Sequence, residues 1–137
     1  MRTALVLIAI VILAGCSPVA PTAGPTPLPA ALAHIETTSA RLKVLIEQTE
    51  SESVNFMAVL PDLPPMVDTL QAEAKWLEGN ADPSSASEGV YLDRVTRAIT
   101  ALDRALNEPT TETVRAARSA VVAAANAADR VVTLAGT

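Results

Sequence analysis

The sequence predicts an all-α fold, an antiparallel up-down four-helix bundle, on three observations. Alanine fills 26 of the 137 positions, and helices accept that many small, unbranched residues far better than sheets do. Aromatic residues make up only 2% of a chain that is 50% apolar, with one Trp, one Tyr and one Phe, so the core must be aliphatic. Beyond residue 30, Pro61, Pro64, Pro65, Pro83 and Pro109 all fall between apolar-periodic stretches. A proline inside a helix costs about 3 kcal/mol, so these five mark three joints between four helices. Short joints make successive helices antiparallel.

The N-terminus precedes that domain. Met1-Arg2 gives a short positive start, and the ten residues Ala4 to Leu13 carry no polar side chain. Such a run reaches about 15 Å, half of the ~30 Å hydrocarbon layer, so it is too short for a permanent span. It reads as the apolar core of a secretory signal. Leu13-Ala14-Gly15-Cys16 follows directly. Ala14 and Gly15 are small enough to admit the backbone to a protease, and Cys16 is the only cysteine, which excludes a disulfide within the chain.

These four residues resemble the lipobox of bacterial lipoproteins. The resemblance implies cleavage between Gly15 and Cys16, a diacylglycerol thioether on the Cys16 sulfur, and palmitate-type acyl chains. One chain binds a membrane marginally, whereas two or three anchor durably. The implied protein is exported and held on a bilayer by lipid without crossing it. Ser17 stands where Asp would favour inner-membrane retention, so the outer membrane is expected in a Gram-negative cell. In a Gram-positive cell the anchor would lie on the outer face of the cell membrane. The resemblance covers the first 16 residues, and no family is recognised beyond them.

The expected organisation is therefore a signal peptide at 1–15, a lipidated Cys16 and Pro-rich linker at 16–30, and a helical domain at 31–137. Residues 17–30 hold five prolines in 14 positions. At ~3.1 Å per residue in polyproline-like structure, the linker reaches about 40 Å. Thr22 and Thr26 within it are possible acceptors of O-linked sugar, with a bare spacer the simpler reading.

The first helix is expected from about Pro29 to Leu60. Leu32, Ile35, Ser39, Leu42, Ile46, Thr49, Ser53, Phe56 and Leu60 follow steps of three and four, the spacing of one seam. It is long enough either to break within the polar stretch Thr49–Asn55 or to leave part of its seam uncovered. The second helix, from near Leu63 or Met66 to Glu78, presents Met66, Leu70, Ala74 and Leu77, with Asp62 as N-cap and Gly79 as stop. Ser85 and Glu88 match a capping box for the third helix. Its seam is Leu92, Val95, Ile99, Leu102 and Leu106, and it ends before Pro109. The fourth, about Thr110 to Leu134, sets Val114, Ala117, Val121, Ala124, Ala128, Val131 and Ala135 on one side, and Gly136 ends it.

Without Arg2, nine basic residues face 15 acidic ones, a balance that argues against a nucleic-acid partner. Residues 31–88 hold ten acids and three bases, and residues 89–137 hold five acids and six bases. The two halves should attract one another, and the acidic half also fits a basic partner.

The inventory for catalysis is thin. A triad needs a base and something to orient it, and His34 is the only imidazole. One step off the seam, it reads as a surface or boundary residue. Zinc and di-iron sites need clustered Cys, His or Glu-x-x-His pairs, which the sequence does not supply. Covalent haem needs two cysteines, and the glycines are too scattered for a phosphate loop. No metal or cofactor is expected. Glu47, Glu50 and Glu52 form a carboxylate cluster, read first as a solvated face. Trp76 and Tyr91 flank the second joint, either as core caps or as contact anchors, since both residue types are enriched at hot spots.

The function expected is thus a non-catalytic envelope lipoprotein whose bundle docks another protein or a copy of itself through Trp76, Tyr91, Glu47, Glu50 and Glu52. The alternative is a carrier of a small apolar ligand between Ala-lined helices.

Overall fold

The computed structural model describes residues 28–50 and 56–136. Its elements are α1 (Leu28–Glu50), a single turn α2 (Phe56–Val59) running into a 3-10 turn (Leu60–Asp62), α3 (Leu63–Asn80), α4 (Ala86–Asn107) and α5 (Thr111–Ala135). The described residues form an all-α bundle of four long helices. α4 packs most closely on α5, α5 on α1 and α3 on α4, whereas α1 and α3 meet more sparsely.

Sequence and structure agree best along α5. Val114, Ala117, Val121, Ala124, Ala128 and Val131 are all buried, and of the expected stripe only Ala135 is exposed. Thr110 starts the helix. Its hydroxyl accepts from the Thr113 backbone N–H at 3.1 Å, and Thr113 Oγ1 accepts from the Thr110 N–H at 3.0 Å, a reciprocal capping box. Gly136 caps the far end in a right-handed conformation.

On α1 the expected seam is also the buried one, with Ile35, Ser39, Leu42 and Thr49 enclosed and Leu32 and Ile46 half-buried. Its two described hydroxyls use different partners. Thr49 donates back to the Ile46 carbonyl, whereas Ser39 reaches across to Asp129 Oδ1 on α5 at 2.7 Å. α1 begins at Leu28, inside the expected linker, with Pro29 in its first turn where no intrahelical donor is needed. The helical elements α1 and α2 are described before and after residues 51–55, and the polar stretch where the sequence marks a break in one helix to Leu60 lies largely outside the described residues.

The α4 seam keeps Val95 and Leu102 and moves by one position at the other three places. Tyr91, Val95, Ala98, Leu102 and Ala105 are fully buried, Leu92 and Ile99 only half so, and Leu106 is 39% exposed. Ala98 and Ala105 are buried in the same core cluster as Ala117, Ala124 and Ala128 of α5, and small residues on both of these closely packed helices let the two backbones approach. The bulkier side chains then flank the contact. Ser85 caps α4, its Oγ accepting from the Glu88 N–H at 3.4 Å, while the Ser85 N–H goes to the Asp82 carbonyl instead of closing the box.

Two cap expectations fail on α3. Asp62 makes no side-chain cap bond, because Pro64 and Pro65 remove donors that a cap would satisfy. Gly79 lies within the helix, which runs on to Asn80 and is stopped by extended backbone at Ala81. Asn80 Nδ2 donates to the Trp76 carbonyl and the Ala81 N–H to that of Leu77, so the helix closes without a left-handed residue.

Candidate functional site

The most polar point of this aliphatic core is Glu73 on α3, 2% exposed. The Met66, Leu70 and Leu77 seam passes through position 73 by steps of four, three and four, so an acid stands where packing calls for an apolar residue. Three donors from two other helices converge on it. Tyr91 Oη on α4 donates to Oε1 at 2.9 Å. Thr38 Oγ1 and His34 Nε2 on α1 donate to Oε2 at 3.0 and 2.7 Å. An unpartnered buried carboxylate would cost several kcal/mol, so these bonds are a condition of its burial. Burial first, then the charge and hydrogen bond of Glu73, push the Tyr91 phenol well above its ordinary value. It is therefore a permanent neutral donor.

His34 closes the outer side of this network. Its ring stacks on Trp76 with centroids 4.0 Å apart and planes 13° from parallel. The side chain is 39% exposed, which makes it the link between the buried carboxylate and solvent. It borders an open cleft between α1 and α3 of about 550 Å³, lined by Ala30, Ala33, Ala72, Thr37, Arg41, Asp68 and Thr69 among others. That volume lies within the range of small-molecule sites.

A second polar link joins α1 to α5. Asp129 accepts from Ser39 at 2.7 Å and pairs with Lys43 at 2.7 Å. Burial pushes the Asp129 carboxyl up, but Lys43 and Ser39 together outweigh it and hold it below the ordinary carboxylate value. The pair joins a base from the acidic half of the sequence to an acid from the other half, the reverse of the polarity that the charge imbalance between the halves predicts.

Of the described sequence-predicted site residues, Trp76 and Tyr91 meet in the network around Glu73, Trp76 through His34 and Tyr91 directly, whereas Glu47 does not share those contacts. Tyr91 is fully enclosed, which corrects its reading as a contact anchor: the hydroxyl faces inward to Glu73, and no part of the ring meets solvent. Trp76 is half-buried against His34. Glu47 is exposed on α1, while the Glu50 side chain, Glu52, Gly15 and Cys16 lie outside the described residues. Among the described residues, no group of three or more His, Cys, Asp or Glu is placed to hold a metal ion. None of the described helices is long and apolar enough to cross a membrane.

Sequence reasoning missed Glu73. The available signal was its seam position, together with His34 and Thr38 one turn apart on α1. No family model matches the chain, and neither a curated protein nor a solved structure does.

Proposed function

We propose that the protein is a lipid-anchored component of a bacterial envelope, whose helical bundle is a non-catalytic module for binding another protein or a second copy of itself. The observation that carries this reading is the run Leu13-Ala14-Gly15-Cys16 placed directly after ten apolar residues. It supplies an anchor, and a tether of up to about 40 Å holds the bundle away from the lipid surface. On this reading the outer membrane is the site in a Gram-negative cell.

The docking part of the proposal draws on the outer face of α1. Val44 is 53% exposed and lies one turn from both Arg41 and Glu47, an apolar contact point flanked by charges of both signs that suits a partner with a polar rim. The non-catalytic part draws on the thin inventory of the sequence, one imidazole and one thiol, the latter claimed by the anchor. The alternative of an apolar cargo has less support, because the two clefts of about 550 Å³ are rimmed by Thr, Arg, Asp and Glu.

Mass spectrometry of the protein isolated from its native membrane should find an N-terminal Cys16 carrying acyl chains, and Cys16→Ser should release the protein from the membrane fraction. A polypeptide that retains Met1 and carries no fatty acid overturns the anchor. The docking reading fails if crosslinking in intact cells and sedimentation of the Cys16→Ser form both give a partnerless monomer.

A further inference from the structure

The cleft between α1 and α3 is built from parts that have separate explanations, and together they specify a ligand. Its open volume comes from Ala30, Ala33 and Ala72, which leave the two helices' facing surfaces unfilled. Its width is fixed at one end by the bonds of His34 and Thr38 to Glu73, which tie α1 to α3 and oppose collapse of the gap. The remaining polar groups decide what would fit.

The hydroxyl protons at this cleft are already used. Thr37 donates to the Ala33 carbonyl at 2.7 Å, Thr69 to that of Pro65 at 2.8 Å, and Thr38 to Glu73. These oxygens offer a ligand lone pairs only. The His34 Nε2 proton is likewise spent on Glu73. Two charged groups remain, and neither has an ion-pair partner among the described residues: Arg41 on the α1 wall and Asp68 on the α3 wall. They have opposite signs, face one opening from different helices, and do not pair with each other.

We propose that this cleft binds a small zwitterion, its carboxylate on the Arg41 guanidinium and its ammonium on Asp68, with the Thr hydroxyl oxygens as further acceptors. A guanidinium takes a carboxylate through two parallel N–H bonds, and an ammonium brings the donors that this acceptor-rich wall lacks. A ligand with one charge leaves the opposite wall uncompensated, so the paired arrangement discriminates by charge pattern. This assignment is independent of the lipid anchor and of any protein partner.

The test is calorimetric titration of the full chain, with amide chemical shifts followed in parallel. The probes are glycine, β-alanine, 4-aminobutyrate and diglycine, a series of increasing charge separation, against acetate and methylamine as single-charge controls. At least one zwitterion should bind saturably, with Kd between roughly 0.1 and 10 mM, and shift Thr37, Asp68 and Thr69. Acetate and methylamine should bind at least about tenfold more weakly. Arg41→Ala and Asp68→Asn, both exposed changes that leave helix content intact, should each abolish the selectivity. Absence of saturable binding by all four zwitterions, equal binding of acetate, or undiminished binding by either variant overturns the proposal.

Discussion

Glu73 shows how much one side chain can organise. In Glu73→Ala the Tyr91 hydroxyl stays enclosed without its acceptor, and Thr38 and His34 lose theirs. We expect a loss of about 2–4 kcal/mol in urea unfolding. Glu73→Gln retains an acceptor oxygen and should lose clearly less, and equal stability of the Ala variant and the parent would refute the account. Tyr91 adds an alkaline signature. Its folded pKa lies above the unfolded value near 10, so above that pH the unfolded chain releases a proton that the folded chain keeps. Stability should be intact below pH ~10 and then fall, with a slope approaching about 1.4 kcal/mol per pH unit, and Tyr91→Phe should remove that slope. Asp129 acts in the opposite sense. Its folded pKa is depressed, so its contribution is present above the unfolded value near 4 and is lost as the pH falls through the folded one. The side chain is 45% exposed, so the contribution should be under ~1 kcal/mol, read as the difference between the parent and Asp129→Asn across the acid limb.

Among the elements, α5 rests most on local chemistry. Thr110→Ala removes one half of a reciprocal cap and should cost about 1 kcal/mol. Ser85→Ala should cost less, because its cap bond is 3.4 Å long and the Ser85 hydroxyl also contacts Ser87. Thermal unfolding of the pair checks the order. The α4–α5 contact permits little added volume: Ala98→Leu should destabilise by about 1–3 kcal/mol through overpacking, whereas Leu106, 39% exposed, should accept Ala at a smaller cost. These elements also show what the sequence conveys. The joints were legible because proline acts locally, and the α5 stripe because Val and Ala alternate along one face. The α4 register was not, since pattern reading favours large apolar residues and the contact selects small ones that match Ala on the facing helix. Glu73 was illegible for a related reason. A carboxylate reads as solvated until its donors are known, and His34 is 39 residues away along the chain.

At the scale of the whole molecule, two polar ties cross-link the bundle. Glu73 joins α1, α3 and α4, and Asp129 joins α1 to α5. No long helix is free of both, so the domain should unfold in a single step. Helix circular dichroism and amide exchange are expected to give coincident urea midpoints, with m of about 1–3 kcal/mol/M, and two separated transitions would contradict it. The charge asymmetry between halves has little effect on this cooperativity. Lys43 and Asp129 are each about half-exposed, and such pairs contribute ~0 to 1 kcal/mol and are screened by salt. The imbalance bears instead on which surfaces the molecule attracts.

The chain owns one indole and one imidazole, and the fold lays them face to face across the α1–α3 gap. The emission of an indole responds to what covers its ring. The brightness of Trp76 is therefore an intrinsic gauge of whether those two helices are together, readable without a label and against a background of no other tryptophan in the protein.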